Sequence, residues 1–546
     1  MRALLVQAVS PPTYWGYQRS LPFAGKIATL PPLGLATLAA LLPESWEVRI
    51  CDEHLGPVPD EDLRWADAVL VSGMLVQADA MRALLHRARA LGRVTAVGGP
   101  AASTSPDAFP QATYVFRGEA EGRLGRLVEA LEHPGSVPPG VVSPCGDERP
   151  DLSLARVPRF DLLELDAYAS LSIQVSRGCP FTCEFCDIIE IFGRVPRVKA
   201  AEQVLAELEA LHRLGVRGPL FIVDDNFIGN RRAAARLLGD LAAWQRTRGQ
   251  PFDLCTEASL DLAAEPAIVK GMIDAGFTCV FVGLETPDPE TLKATKKSQN
   301  LKVDPGEAVA ILTRAGLEVF AGFIVGFDGD DADAVERQRA FVSSQPIPRA
   351  MVGILTALPG TQLWRRLERE GRLRRETSGD QFDRPNFEPT MGDEALVAGY
   401  RNLLAALFSA EGYFGRVERY LRMAPAKPTA LRPGSMAAFG RAVWKLGVLG
   451  HRRRWFWRLL RIGLSQGLAG VPRAVTHAIL AEHFVLYTAE EVLPRLDRRL
   501  AEIRSEARAR PAERAPEPAA ARPAWTPAAV RGGEVPGVGV AADRRV

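Results

Sequence analysis

The stretch Val175-Ser176-Arg177-Gly178-Cys179-Pro180-Phe181-Thr182-Cys183-Glu184-Phe185-Cys186-Asp187 decides how the rest of the chain is read. Three cysteines fall within eight residues at C-x3-C-x2-C spacing, directly after a run with strand character. A structural zinc site takes four protein ligands. No fourth Cys or His lies nearby. The next His downstream, His212, sits in a helical pattern, and a distant fourth ligand would be a residue such as Cys145 or Cys255. Three thiolates on a short loop suit a cubane iron–sulfur cluster with one iron left open, where a substrate or cofactor can bind.

The surroundings of that loop alternate between strand and helix. Strands are expected at Ser172–Val175, Leu220–Val223, Leu254–Glu257, Cys279–Gly283, Val319–Val325 and Met351–Ala357. Helical patterns fit between them, as at Ala201–Leu214, Arg231–Gln245, Pro266–Ala275 and Pro305–Ala315. Repeated βα units over 169–365 predict a full or partial parallel barrel, with chemistry at the carboxyl ends of its strands. Upstream, residues 1–135 show the same alternation, with strands at Ala3–Val9, Trp46–Cys51, Ala68–Ser72, Val94–Val97 and Tyr114–Arg117. That part reads as a doubly wound, Rossmann-like sheet, whose ligands sit at the strand ends. Residues 136–168, rich in Pro, Gly and Asp, read as a linker. The pattern is helical over 366–505. The Ala/Arg/Pro/Gly-rich 506–546 reads as a disordered tail.

Composition bounds the rest. The 546 residues are 47% hydrophobic and 24% charged, as in a folded protein of several domains. Lys plus Arg is 67 against 65 Asp plus Glu, a balance that gives no reason to expect nucleic-acid binding. Seven cysteines are too few for a secreted disulfide framework and point to a reducing, cytoplasmic setting. The start, MRALLVQAVSPP, reads as a first strand and not as a signal peptide. No run reaches the ~18 apolar residues of a membrane span. The segment Phe439–Gln466 interleaves Trp444, Trp455 and Trp457 with Lys445, Arg452, Arg453, Arg454, Arg458 and Arg461. It fits either a helical packing face with solvated arginines or a membrane-surface contact.

The cysteine segment resembles the signature of the radical S-adenosylmethionine (SAM) enzymes, with Phe185 at the aromatic position. The resemblance implies a partial six-stranded barrel and a [4Fe-4S] cluster on Cys179, Cys183 and Cys186. The open iron would chelate SAM, whose reductive cleavage gives a 5′-deoxyadenosyl radical. It further implies SAM contacts from Asp224, Asp225 and Asn226, from Glu257, and from Gly283 and Glu285. A helix N-cap pair is the plainer reading of Asp224 and Asp225. Gly326-Phe327-Asp328-Gly329-Asp330 reads either as a further contact or as turn chemistry.

A doubly wound sheet ahead of such a barrel resembles the cobalamin-binding branch of that family. Its fingerprint is matched by Ser72-Gly73-Met74 and Gly98-Gly99 and matched imperfectly by Asp52-Glu53-His54-Leu55-Gly56, which is one residue short. His54, Ser72, Gly98 and Gly99 are the cobalamin-contact candidates. The likeness runs over roughly residues 1–490 to the group that includes the hopanoid C-2 methylase. It rests on Pro31-Pro32-Leu33-Gly34-Leu35, Trp46-Glu47-Val48, Trp65-Ala66-Asp67, Cys186-Asp187-Ile188, Gly193–Arg197, Asp224–Asn230, Gly322–Asp328 and Pro359-Gly360-Thr361. It implies a C-methyltransferase acting on an unactivated carbon of a small-molecule or lipid substrate, with an electron donor such as flavodoxin or ferredoxin. Radical ring formation or oxidation without net methyl transfer is the alternative. A non-enzymatic cobalamin-responsive protein with a structural metal is the third reading. Tyr14, Trp15 and Tyr17 are expected to pack at a domain interface.

Overall fold

The computed structural model describes residues 1–142, 149–374, 379–426 and 434–509. Six strands make the first sheet: β1 (Arg2–Gln7), β2 (Glu47–Asp52), β3 (Ala68–Ser72), β4 (Val94–Gly98), β5 (Tyr114–Phe116) and β6 (Gly140–Val142). All are parallel, in the order β2-β1-β3-β4-β5-β6. Leu4, Val6, Val69 and Val71 are buried on one face, and Ala3, Leu5, Ala68 and Leu70 on the other. Such two-sided apolar strands require helices on both faces. Leu33–Leu41 and Gly125–Glu132 cover one face, Asp60–Trp65 and Ala78–Ala90 the other. The order reverses between β1 and β3, which opens a crevice at the carboxyl ends there. β6 falls inside the segment expected to be a linker. Its three residues, Gly-Val-Val, are too short to show a period, and pairing with β5 places them in the sheet.

The second sheet contains β7 (Leu171–Ile173), β10 (Gly218–Ile222), β11 (Phe252–Ala258), β12 (Phe277–Glu285), β13 (Glu318–Val325) and β14 (Arg349–Ile354), parallel and adjacent in that order. Between β7 and β10 lies a small antiparallel pair, β8 (Ser176–Arg177) with β9 (Arg197–Val198). No pairing joins β14 to β7, so the barrel is partial, as the sequence leads one to expect. Along β12, Val280, Val282 and Leu284 are buried, while Cys279, Phe281 and Gly283 are only partly so. The first set packs into the core under the helices, and the second faces the lumen.

A helical domain follows. Its main helices are Asp393–Leu407, Ala410–Met423, Ser435–Ala442, Arg453–Ser465, Val471–Tyr487 and Leu493–Ala509. The last runs through 509, past the expected start of the tail at 506, and 510–546 lie outside the described residues. Tyr400 Oη donates to the Val352 carbonyl at 2.8 Å, tying Asp393–Leu407 to β14. Under the barrel, Arg349 and His477 approach Glu318 at 2.8 and 3.4 Å. Burial would raise the Glu318 carboxyl, but the Arg349 guanidinium, with the His477 hydrogen bond beside it, holds it down at about 2.

The loop after β1 knits the parts together. Tyr14 is buried against Phe408, Phe484 and Tyr487, and its hydroxyl lies 2.6 Å from Thr488 Oγ1. Tyr14 and Tyr17 are thus packing residues, as expected. Trp15 stays half exposed, its ring 5.5 Å from that of Phe281. Further on, the Ile27 N–H donates to the Ala167 carbonyl and the Ala169 N–H to the Ala28 carbonyl, both at 2.9 Å. The loop therefore runs beside the open β7 edge of the barrel.

Candidate active site

The cysteine loop leaves β8 and returns through β9, whose pairing pins its base. Gly178 has φ of +94°, and a Cβ there would stand 2.8 Å from the Gly193 carbonyl oxygen, so the turn excludes every side chain. The Cys179 N–H donates to that same carbonyl at 3.2 Å, and the Glu184 N–H to the Thr295 carbonyl at 3.1 Å. Cys183 is buried, and Cys179 and Cys186 are partly so. Two amide side chains aim N–H groups at sulfur: Gln299 at Cys183 Sγ, 3.4 Å, and Asn226 at Cys179 Sγ, 3.9 Å. Burial pushes the Cys186 thiol up to about 12 and raises Cys179 as well. Thiolates there need a cationic partner, which cluster iron supplies. A zinc site would need a fourth ligand. Cys145 lies outside the described residues, and Cys255 faces Cys279 across β11 and β12. Among the described residues no three His, Cys, Asp or Glu side chains are grouped to hold a single ion.

Asp224, Asp225 and Asn226 follow β10. Asp224 accepts from the Val175 N–H and the Ser176 hydroxyl, both at 2.7 Å, and so locks the strand end to the base of the loop. Asp225 accepts from the Gly178 N–H at 3.3 Å. Neither caps the next helix. Asn230 does that, accepting from the Ala233 N–H at 3.1 Å. The Asn226 amide spans to Ser259, donating to its hydroxyl at 3.2 Å and accepting from its N–H at 3.1 Å. Burial pushes Asp224 up to about 6 and Asp225 to about 7. Glu257, at the end of β11, rises to about 8 through burial and the neighbouring Asp225 and Asp224. Three carboxyls this reluctant to ionise together would each ionise more readily with a cation nearby.

On β12 the pairing register with β13 shifts between Gly283 and Glu285, and Glu285 takes φ of +65°. Its carboxylate meets Lys297 Nζ at 2.6 Å. A Cβ on Gly283 would overlap this ion pair, so the glycine makes room for it. Asn300 Nδ2 donates to the Gly283 and Leu284 carbonyls at 2.8 and 3.1 Å. The Phe185 ring lies 5.9 Å from that of Phe327 and 5.8 Å from Lys297 Nζ. Asp330 accepts from the Gly326 and Phe327 N–H groups at 2.8 and 3.1 Å, which is the turn reading of that segment. Sequence reasoning missed Lys297, Gln299 and Asn300. Their only signal is a polar run, Lys-Ser-Gln-Asn, with no helical or strand period.

It also missed a latch at the domain junction. Arg177 reaches Glu119 and Glu121 at 2.8 and 2.7 Å, and Arg197 reaches Glu119 at 2.7 Å. Both glutamates are buried, and Arg177 nearly so. Next to the latch is a cavity of about 300 Å³ at the ends of β3, β4 and β5. Ser72, Gly98 and Gly99 line it from the first sheet, and Gln174, Arg177 and Lys199 from the barrel. Gly99 has φ of +87°, and a Cβ there would overlap the Ser72 hydroxyl. His54 is not among the lining residues. Its Nδ1 lies 2.7 Å from Asp52 Oδ1, and its Nε2 accepts from the Ser10 N–H at 3.1 Å. In this arrangement both ring nitrogens of His54 are engaged within the first sheet's loops.

A partial barrel with a three-cysteine loop at its mouth, joined to a doubly wound sheet with a cavity at its strand ends, defines the class of radical SAM enzymes that use cobalamin. Family comparison agrees. The Radical SAM superfamily matches residues 173–341, the B12 binding domain 28–128, and a domain of unknown function 361–495. An uncharacterized methyltransferase from Synechocystis sp. is 41% identical over 496 residues, 89% of this chain and 92% of that protein. The hopanoid C-2 methylase of Rhodopseudomonas palustris is 35% identical over 487 residues, 87% of this chain and 91% of the methylase. Among solved structures, the cobalamin-dependent SAM radical enzyme OxsB, with aqua-cobalamin and SAM bound, superposes with a TM-score of 0.57 at 16% identity. The match covers 92% of this chain and 84% of OxsB. The radical SAM methyltransferase TsrM from Kitasatospora setae gives 0.53 at 17% identity, over 68% of this chain and 78% of TsrM. The chain belongs to the cobalamin-dependent radical SAM family that includes the hopanoid C-2 methylase. It is a radical SAM enzyme that resembles the methyltransferases, and its cofactors are a [4Fe-4S] cluster, SAM and cobalamin. Such chemistry acts on a small-molecule substrate and draws electrons from an external donor.

Proposed function

We propose that the protein methylates an unactivated carbon of a polycyclic, hopanoid-like lipid. The observation that carries this reading is its 35% identity to the hopanoid C-2 methylase across nearly the whole of both chains. The barrel lumen supports it, with Phe281, Phe320, Ile324 and Met351 at lumen-facing positions of β12, β13 and β14. A wall of aromatic and aliphatic groups suits a substrate without charge.

The residues divide into three tasks. Cys179, Cys183 and Cys186 hold the cluster, with Gln299 and Asn226 aiming N–H groups at the ligating sulfurs. Asp224, Asp225 and Glu257 form an anionic wall for the cationic end of SAM. Asn226 braces that wall through Ser259, and Glu285 with Lys297 fixes the strand end beside it. Phe185 shields the loop against Phe327. Ser72, Gly98 and Gly99 give a large planar cofactor close backbone approach. When bound, the cluster with SAM supplies a hydrogen-abstracting radical, and cobalamin supplies the methyl group. The chain itself orients the partners and keeps water away from the lumen. The electron donor is a flavodoxin or ferredoxin.

The test uses anaerobically reconstituted full-length enzyme with a reductant, SAM, cobalamin and an unmethylated hopanoid. The expected product is heavier by one methylene unit and absent with Cys183→Ala. Loss of hydrogen or gain of oxygen in the product would replace methyl transfer by ring formation or oxidation.

A further inference from the structure

Residues 419–481 contain twelve Lys and Arg and no Asp or Glu, in a chain whose net charge is only +2. Within this acid-free segment the structure also concentrates exposed apolar side chains. On helix Arg453–Ser465, the exposed residues Arg453, Trp457, Arg461 and Leu464 follow one another at steps of four, four and three, which is one helical face. Leu468, in the short turn that follows this helix, is 83% exposed. The preceding segment presents Met436, Trp444, Val448 and Leu449, with Trp444 and Leu449 at 59% and 62%. The two stripes are one patch. Trp457 Nε1 donates to the Gly447 carbonyl at 2.9 Å, and a Cβ on Gly447 would already touch the Trp457 ring.

The charges sort into two kinds. Arg452, Arg454 and Arg458 are paired with Glu482, Glu411 and Glu418, which all lie outside the segment. Lys445, Arg453 and Arg461 are exposed and have no acidic partner among the described residues. These three stand among the exposed tryptophans and leucines. Among the described residues no helix is long and apolar enough to cross a membrane.

We infer that this face is a docking surface for an anionic phospholipid bilayer. Tryptophans and leucines enter the headgroup boundary while the unpaired cations meet lipid phosphates. A protein partner would be expected to meet a patch with fewer bare cations. A nucleic acid would not call for five exposed leucine and tryptophan side chains. The patch also touches the loop that borders the barrel. Arg441 donates twice to the Phe23 carbonyl, at 2.9 and 2.7 Å, and Lys445 Nζ lies 5.5 Å from the Phe23 ring. That loop carries Trp15, which lies against Phe281. Docking would thus bring the bilayer surface beside the approach to the lumen. The inference does not rest on which substrate is methylated.

The test is flotation of the full-length holoenzyme with vesicles of phosphatidylcholine alone or with phosphatidylglycerol added. Binding is expected only to the anionic vesicles, weakening steeply from low to high salt. Arg453→Gln with Arg461→Gln is expected to weaken it roughly 30-fold, at about 1 kcal/mol per basic residue near the surface. Trp444→Glu with Leu468→Glu is expected to abolish it. Both variants should keep wild-type circular dichroism and wild-type 5′-deoxyadenosine release. The proposal is overturned by wild-type enzyme that ignores both vesicles or binds both equally, and by binding that survives both variants. A concentration-dependent dimer that Trp444→Glu with Leu468→Glu dissociates would also overturn it, since a second copy would then cover the face.

Discussion

Replacing Arg177 by Met removes the cation that holds two buried carboxylates at the domain junction. Glu119 keeps Arg197 at 2.7 Å, but among the described residues Glu121 loses its only ion-pair partner. Burial would raise the Glu121 carboxyl, yet Arg177 holds it below the usual range. Stripping one partner from a buried pair costs about 3–5 kcal/mol, because the remaining charge must be desolvated alone or take up a proton. Most of that cost falls on local opening of the segment Glu119–Gly122, where it multiplies the open population by roughly 10²–10³. Native-state amide exchange on the holoenzyme reads this directly. Faster exchange is expected in Glu119–Gly122 and in β8, with the far helices unchanged. Adding Glu121→Gln to Arg177→Met should recover part of the loss, since the stranded charge is then gone. Unaltered exchange in a folded Arg177→Met protein, or no coupling between the two substitutions, would refute the latch.

Three further outcomes follow from the site. Gly178→Ala places a Cβ against the Gly193 carbonyl at positive φ, so iron and sulfide per chain after reconstitution should fall sharply. Gly239→Ala, in a helix with open space around it, should leave them unchanged. The pH dependence has a definite sign. Asp224, Asp225 and Glu257, raised to about 6, 7 and 8, keep protons in the folded state that the unfolded chain releases near pH 4. Stability without SAM should therefore fall as pH rises from about 4 to 8. SAM affinity should rise over the upper part of that window, with proton release on binding visible by calorimetry in buffers of different ionisation enthalpy. A flat affinity between pH 6 and 8 would remove the anionic wall. Gln299→Leu deletes an N–H aimed at Cys183 Sγ. It should lower the cluster potential by on the order of 40 mV, read by spectroscopic redox titration.

The barrel was legible because its strands are long and its alternation regular, and each of the six expected strands overlaps an observed one. The cysteine loop was legible because chemistry fixes its spacing. What stayed hidden lacks a period or acts across distance. β6 is three residues long. Lys297, Gln299 and Asn300 sit on an irregular segment that tertiary folding alone brings to the cysteines. Arg177 meets Glu119 and Glu121 from 58 and 56 residues away. The hydrogen bonds of His54 were hidden for a related reason: only the fold brings Ser10 to one of its ring nitrogens while Asp52 holds the other.

The Tyr14 hydroxyl meets Thr488 across 474 residues of chain. During synthesis, at about 5–20 residues per second, the first strand leaves the ribosome roughly 20–90 s before the helix that seals its loop. Until the end of that interval the loop beside the barrel edge lacks Phe484, Tyr487 and Thr488, and of its aromatic neighbours on the later chain only Phe382 and Phe408 precede them. The nascent protein therefore passes through a stage with both cofactor domains complete and the flank of the barrel unsealed.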